Sequence, residues 1–248
     1  MTSQRRMLSI LDLYVPPGRP ALTAEQIMNA LDFTRGTAYR YIKELVDAGL
    51  LSRIGAAYTL GPRVIELDYY IRQFDPVLHA SRVPLEDIRD KFECDVLLAS
   101  YFSDRLVVSQ HLKGSEELRV SYGRGHAMPL FRGAGGKVIL ATLPARWQRK
   151  LYDSHKADIA QDGGPATWEQ FRDGLSQVRK AGYAMSFGEL DRGNVGIATA
   201  IVHEAPTPPS CVCLLFSEKR YAIIDKAMLA HHVALMAGQI QENLRRGA

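Results

Sequence analysis

The chain has 248 residues, 46% hydrophobic and 23% charged, with a formal net charge of +4. At about 100–200 residues per domain this length suits two domains, and the apolar content excludes disorder over most of the chain. There is no run of about 18 apolar residues that could span a membrane, and the first residues lack a signal peptide's apolar core and cleavage site. With an odd count of three cysteines and no disulfide framework, a cytoplasmic protein with no membrane partner is expected.

The charge is unevenly placed. Residues 1–63 hold eight Lys and Arg against five acids, a net +3, so a polyanion partner is expected for that third alone. Met7, Leu8, Ile10, Leu11 and Tyr14 recur at helical spacing until Pro16-Pro17-Gly18 stops the helix. Thr23-Ala24-Glu25-Gln26 reads as a capping box opening a second helix. A third helix is predicted from about Thr34 to Ala48, with Ala38, Ile42 and Leu45 inward and Gly49 at its C-terminal cap. Leu50–Ile54, Gly55-Ala56-Ala57 and Tyr58–Leu60 then read as strand, turn, strand. Three helices and a hairpin within 62 residues describe a winged helix-turn-helix DNA-binding domain.

On the third helix, Gly36, Arg40 and Lys43 fall on nearly one outward line, with Arg35 and Thr37 also away from the apolar stripe. A helix entering the DNA major groove needs such a face: a small residue for close approach, then cationic arms for phosphates or guanine edges. Tyr39 and Tyr41 are candidates for further contacts to the DNA backbone. The wing tip, Gly55-Ala56-Ala57, carries no cation.

A linker helix is predicted over residues 63–76, too apolar to stand alone in water, and the rest, 77–248, forms the second domain. A helix over Val77–Phe92 leads into strands at Val96–Phe102 and Arg105–His111 around a Ser103-Asp104 turn, and Leu118–Tyr122 reads as a third strand. Helices follow at Gly133–Leu143 and Trp168–Ala181, late strands at Val195–Val202 and Cys211–Ser217 around the Pro-rich 205–209 loop, and one long helix closes the chain from Tyr221 to Arg245. Hairpins with helices grouped between them give an α+β class with an antiparallel sheet.

Arg132-Gly133-Ala134-Gly135-Gly136-Lys137 fails the P-loop test, because Phe131 stands where the first Gly belongs and Val138 where Ser or Thr belongs. It remains a Gly-rich helix start whose free N–H groups suit a carboxylate, or a tight helix–sheet crossing. Cys211 and Cys213 are expected to point to opposite faces of a strand as buried small hydrophobes. Glu189 and Asp191, between Gly188 and Gly193, read as turn chemistry. No nucleophile–base pair, metal set or cofactor fingerprint is legible, so no catalytic residue, metal or cofactor is expected.

Leu22–Ile27, Arg35–Leu45, Gly49-Leu50-Leu51 and Tyr58–Arg63 together resemble the winged helix of the IclR family of transcriptional regulators. Met128-Pro129-Leu130 with Gly136–Ala141, and Gly182-Tyr183-Ala184 with Glu189, Gly193 and Ile197-Ala198, resemble its two effector-domain signatures. The resemblance implies a homodimer or dimer of dimers paired through the N-terminal and linker helices, double-stranded DNA with a pseudo-palindromic operator as partner, and a GAF-like C-terminal domain. It also implies an effector pocket at Ala134, Gly135, Ser186, Asn194, Gly196, Leu215 and Ser217 for a small-molecule effector, whose body Leu130 is expected to help frame. Relatives that bind small oxo-acids carry an acid, a Cys and a Ser where this chain has Ser186, Gly196 and Leu215, which implies a larger acid with an apolar or aromatic body. The expected function is a ligand-responsive regulator of a catabolic operon, with Arg35, Gly36, Thr37, Tyr39, Arg40 and Lys43 on DNA. The alternative is a small-molecule enzyme with an N-terminal assembly module.

Overall fold

A computed structural model describes residues 2–15, 20–202 and 209–247. The Pro16-Pro17-Gly18 stop and most of the Pro-rich loop, with His203, lie outside the described residues. Packing divides the chain into two units, Met1–Asp75 and Pro76–Ala248, so the linker helix falls with the first.

The first unit contains α1 (Ser3–Asp12), β1 (Leu22–Thr23), α2 (Ala24–Leu31), α3 (Arg35–Asp47), β2 (Leu51–Ile54), β3 (Ala57–Leu60) and α4 (Arg63–Phe74). Local hydrogen bonds explain the boundaries. Gln26 N–H donates to Thr23 Oγ1 at 3.2 Å while Thr23 N–H donates to Gln26 Oε1 at 2.8 Å, closing the capping box. Thr34 caps α3, and Gly49, at φ 72°, ends it. There Gly49 N–H bonds Val46 O and Leu50 N–H bonds Leu45 O, both at 2.9 Å, a Schellman closure that needs the left-handed residue. Ile54 pairs with Ala57, so the wing turn is the two residues Gly55-Ala56. The short strand β1, which no sequence signal marked, adds to β3 to give a sheet ordered β1-β3-β2. Ile10, Ile27, Ala38, Ile42, Leu45 and Leu51 form this unit's core. No residue of α4 is buried.

The second unit runs α5 (Pro76–Phe92), β4 (Asp95–Phe102), β5 (Arg105–Leu112), β6 (Ala127–Pro129), α6 (Gly133–Thr142), α7 (Ala145–Gln161), α8 (Trp168–Ala181), β7 (Ala184–Phe187), β8 (Asn194–Ile201), β9 (Ser210–Ser217), α9 (Glu218–Ile223) and α10 (Lys226–Arg246). Its sheet is antiparallel throughout, ordered β6-β5-β4-β9-β8-β7. Both faces are covered. Leu97, Ala99, Leu106 and Cys213 pack with α6 and α8, while Val96, Leu98, Val212 and Leu214 pack with α5 and α10. Two buried faces explain why β4 and β9 read as continuous apolar runs rather than alternating ones.

Four expectations change. Residues 118–122 form no strand; the third strand is β6, which occupies the β5 edge from Val107↔Ala127 to Arg105↔Pro129. The backbone of 118–122 bonds side chains instead: Asn194 Nδ2 donates to Arg119 O at 2.9 Å and Ser121 N–H donates to Asp191 Oδ2 at 3.1 Å. The long last helix is broken, because Asp225 caps a fresh start by accepting from Ala227 N–H at 2.9 Å and Met228 N–H at 3.0 Å. Helix α7 and strand β7 add to the predicted elements. Cys211 and Cys213 share a face, with their sulfurs 4.0 Å apart, since residues two apart on a strand point the same way.

A Cβ at Gly136 would lie 2.0 Å from the Leu130 carbonyl oxygen, whereas one at Gly174, on α8, would meet nothing within 4 Å. Gly136→Ala should therefore destabilise the protein by at least about 1–3 kcal/mol through overpacking. Gly174→Ala should stabilise it by about 0.5–1 kcal/mol through helix propensity. Denaturant unfolding of both variants checks the opposite signs.

Candidate functional site

Two surfaces carry polar chemistry, one in each unit. On α3 the buried stripe is Ala38, Tyr41, Ile42 and Leu45. The opposite side exposes Arg35, Gly36, Tyr39, Arg40 and Lys43, with Thr37 half-buried. Nothing crowds the Gly36 position within 4 Å, so a flat partner can approach the backbone there. The Arg40 guanidinium carbon sits 5.2 Å from the Tyr41 ring centroid and that of Arg35 5.8 Å from the Tyr39 ring. Lys43 pairs with Asp47 at 2.7 Å, and both are well exposed, so the pair adds little stability. The Thr34 and Thr37 hydroxyls are bonded at 2.9 Å.

Tyr41 is not a surface contact. It stands three residues after Ala38 and four before Leu45, on the buried stripe; its hydroxyl lies 2.8 Å from Ser3 Oγ and its ring meets Phe33 edge-on. The wing, in turn, has a cation that its tip sequence hides. Arg53, on β2, donates from Nε to Gly55 O at 2.9 Å and is exposed. The charge count contains Arg53; only the strand register brings it to the turn.

In the second unit a cavity opens where the start of α6 meets the sheet. The free space within it is about 40 Å³, enough for a water or two but not for an aromatic acid with the wall as it stands. Ala134, Gly135, Ser186, Asn194, Gly196 and Leu215 stand together in this wall. Register explains part of this: Gly196 pairs with Ser186 on one side and Leu215 on the other. Leu130 and Ser217 are not in the wall. Leu130 is buried behind Gly136, and Ser217 Oγ accepts from Arg220 N–H at 3.1 Å to cap α9. Gly135 is also a packing residue, since a Cβ there would come 2.9 Å from Cys213 Sγ.

Sequence reasoning misses most of the apolar wall, Leu97, Leu106, Val120, Tyr122, Met128 and Leu190 among them, and its charged members Arg132, Glu189 and Asp191. The alternation of Leu118, Val120 and Tyr122 is a true signal of a one-sided segment, but not of strand pairing. Glu189 is not turn chemistry. Its Oε2 accepts from Gly133 N–H at 2.9 Å, its Oε1 accepts from the Lys137 ammonium, and its backbone carbonyl accepts from Arg132. The Gly133 N–H is thereby engaged, and Ala134 and Gly135 supply the next N–H groups of the helix start. Among the described residues no cluster of His, Cys, Asp and Glu could hold a metal, and no helix is long and apolar enough to cross a membrane.

The family described as bacterial transcriptional regulator IclR C-terminal matches residues 70–242. The chain belongs to the IclR family of bacterial transcriptional regulators. This membership decides between the two functions left open by the sequence in favour of DNA-binding regulation of transcription, not catalysis. The chain is 21% identical over 241 residues to the HTH-type transcriptional regulator KipR of Bacillus subtilis, covering 96% of this chain and 95% of KipR. An IclR transcriptional regulator of Silicibacter sp. TM1040 superposes with a TM-score of 0.82 at 18% identity, over 98% of this chain and 96% of that one. An IclR homologue of Microbacterium hydrocarbonoxydans, complexed with 4-hydroxybenzoate, superposes at 0.75 with 19% identity, over 99% and 100% of the two chains.

The three cysteines are buried, Cys94 with α5 and α10 on one face of the sheet and Cys211 and Cys213 with α6 on the other. Burial pushes the Cys94 thiol up to about 12, and contact with Cys213 together with burial raises Cys211. The thiolate is the reactive form. Folded protein at pH 8 should therefore leave these thiols unlabelled by a disulfide reagent, and denaturant should release all three; rapid labelling in the folded state would contradict the described packing.

Proposed function

We propose that the first unit is a winged helix-turn-helix that lays α3 in the DNA major groove, and that the cavity of the second unit binds a small organic or aromatic acid controlling that binding. The observation that carries the first half is the exposed line of Gly36, Arg40 and Lys43 opposite the α3 core. Arg35, Thr37 and Tyr39 flank it, and Arg53 extends the basic surface onto the wing. One such module reaches few phosphates, and its non-specific Kd would be weak, about 10⁻⁴–10⁻⁶ M. A second copy makes the next contact intramolecular. Helix α4 supports pairing, because it exposes Ile65, Tyr69, Tyr70, Ile71 and Phe74. The working unit is thus a homodimer or dimer of dimers on a pseudo-palindromic operator of a catabolic operon, in the cytoplasm.

The cavity supports an effector with an apolar body against Leu97, Leu106, Met128 and Leu215, and a carboxylate toward the Ala134 and Gly135 N–H groups, with Ser186 and Asn194 as polar neighbours. The 4-hydroxybenzoate bound by the Microbacterium homologue supports an aromatic acid, for which side chains of the wall must move apart.

Arg40→Ala should weaken specific operator binding by about 1–3 kcal/mol, while Lys43→Ala should lower the salt slope by about one phosphate contact. Gel-shift titrations at two salt concentrations measure both; unchanged affinity in the two variants would mean that α3 does not enter the groove. Leu215→Phe should fill the cavity and remove the response of DNA affinity to effector, which typically amounts to about 1–3 kcal/mol, while leaving effector-free DNA binding intact. Gel shifts with and without 4-hydroxybenzoate, beside calorimetry, test it.

A further inference from the structure

The free space in the cavity is too small for an aromatic acid, so part of its wall must move before one binds. The parts of the wall differ in what holds them. The strands β7, β8 and β9 are held by ladders of backbone bonds. Helix α6 lies so close to them that a Cβ at Gly135 would come 2.9 Å from Cys213 Sγ. The β7–β8 segment is tied to α6 by Glu189, through Gly133 N–H and Lys137. Val120 and Tyr122, by contrast, come from residues 113–126, which form neither helix nor strand. An irregular stretch longer than about 12 residues is uncommon in a compact domain and is usually a lid or a binding loop. We propose that residues 115–122 are the lid of the cavity, which lifts to admit the effector and then closes Val120 and Tyr122 on its apolar body. This rests on reading the cavity as the effector site.

Both ends of the stretch are anchored. Gly114 N–H donates to the buried Asp95 carboxylate at 2.8 Å, and a Cβ on Gly114 would lie 2.5 Å from the Cys94 carbonyl carbon. At the other end Gly125 N–H donates to Val108 O and Arg124 Nε to Ser109 O, both at 2.8 Å. Gly125 stands at φ 84°, and a Cβ there would meet nothing within 4 Å, which leaves room for a hinge.

Between the anchors, the hydrogen bonds to the rest of the fold among the described residues are all exposed. Ser115 Oγ donates to Glu93 O at 3.5 Å and Asn194 Nδ2 to Arg119 O at 2.9 Å. The Asp191 carboxylate accepts from Ser121 N–H at 3.1 Å and from Ser121 Oγ at 2.5 Å, and is the main latch. Water replaces such bonds at little cost, so segments held by them open at low free energy. Lifting the lid also exposes the half-buried Val120 and Tyr122. An apolar ligand body returns that burial when the lid closes over it. The latch and the lining thus do different work: Asp191 and Asn194 set how readily the lid opens, and Val120 and Tyr122 reward its closing on a ligand of the right shape.

A full-length Ser121→Cys/Asp191→Cys double variant tests the lid, because these two side chains already meet at 2.5 Å and the three native thiols are buried. Its oxidised form has the lid fastened by a disulfide, and its reduced form has the latch removed. Stopped-flow and calorimetric titrations of both forms would use 4-hydroxybenzoate as the probe. The oxidised form should take up the probe at least about tenfold more slowly than the reduced form, and dithiothreitol should restore the rate. Equal rates overturn the lid. In the wild-type chain, saturating probe should slow amide hydrogen exchange at 115–122; unchanged or faster exchange there overturns the closing of Val120 and Tyr122 on the ligand. If the probe binds, Leu215→Phe abolishes binding and the two rates are equal, the cavity reading stands and the lid alone falls. If the probe binds no form of the protein, both fall.

Discussion

The second unit depends on how closely the first turn of α6 approaches the sheet. Gly135 leaves no room for a Cβ against Cys213 on β9, and Gly136 none against the Leu130 carbonyl. A larger residue at either position would lift the helix from the strands that anchor it. Opposite α6, β8 presents Gly196, where a Cβ would meet Ser186 Oγ at 2.8 Å. Small residues from a helix and a strand thus face one another while Leu97, Leu106 and Leu215 stand around them. The result is an apolar cavity beside a helix start. Close packing and the cavity have one cause: the backbone comes near enough to expose its N–H groups because no side chain intervenes.

Much of the first unit is legible in the sequence because its signals are local. A capping box, a capped α3 with a three-four apolar spacing, and a glycine at the left-handed C-terminal position each act within a few residues. Ser103 and Asp104, at φ 45° and 62°, carry the β4–β5 hairpin in the same way. What the sequence hides is decided at a distance. Residues 118–122 alternate as a strand does, yet β6 holds the sheet edge, and side chains from the β7–β8 segment satisfy that backbone instead. The late break at Asp225 is local but quiet, since one aspartate cap interrupts an otherwise helical pattern. The expectation for the two cysteines fails through an error of period, not through lack of signal.

For the candidate cavity, the family resemblance and the sheet register account for different parts. The resemblance alone groups Ala134, Gly135, Ser186, Asn194, Gly196 and Leu215, and it also includes Ser217, whose hydroxyl serves a helix cap. Tertiary folding alone supplies Leu97, Leu106 and Val120, because apolar residues at such spacing are indistinguishable from ordinary core. Tyr41 shows the converse on α3: a tyrosine next to Arg40 looks like a surface contact until the helical angle turns it inward.

Helix α4 and Glu189 make one further point about groups that a single chain leaves poorly served. Twelve residues are marginal as an isolated helix, and α4 buries none of its own. Its apolar face is the physical ground of the proposed pairing. Glu189 is the reverse case, a charged group more fully engaged than its loop position suggests. Its carboxylate ties the β7–β8 segment to the first turn of α6 through Gly133 N–H and Lys137. One wall of the cavity is therefore held in place by a charged side chain about fifty residues away in sequence, and not by apolar packing alone.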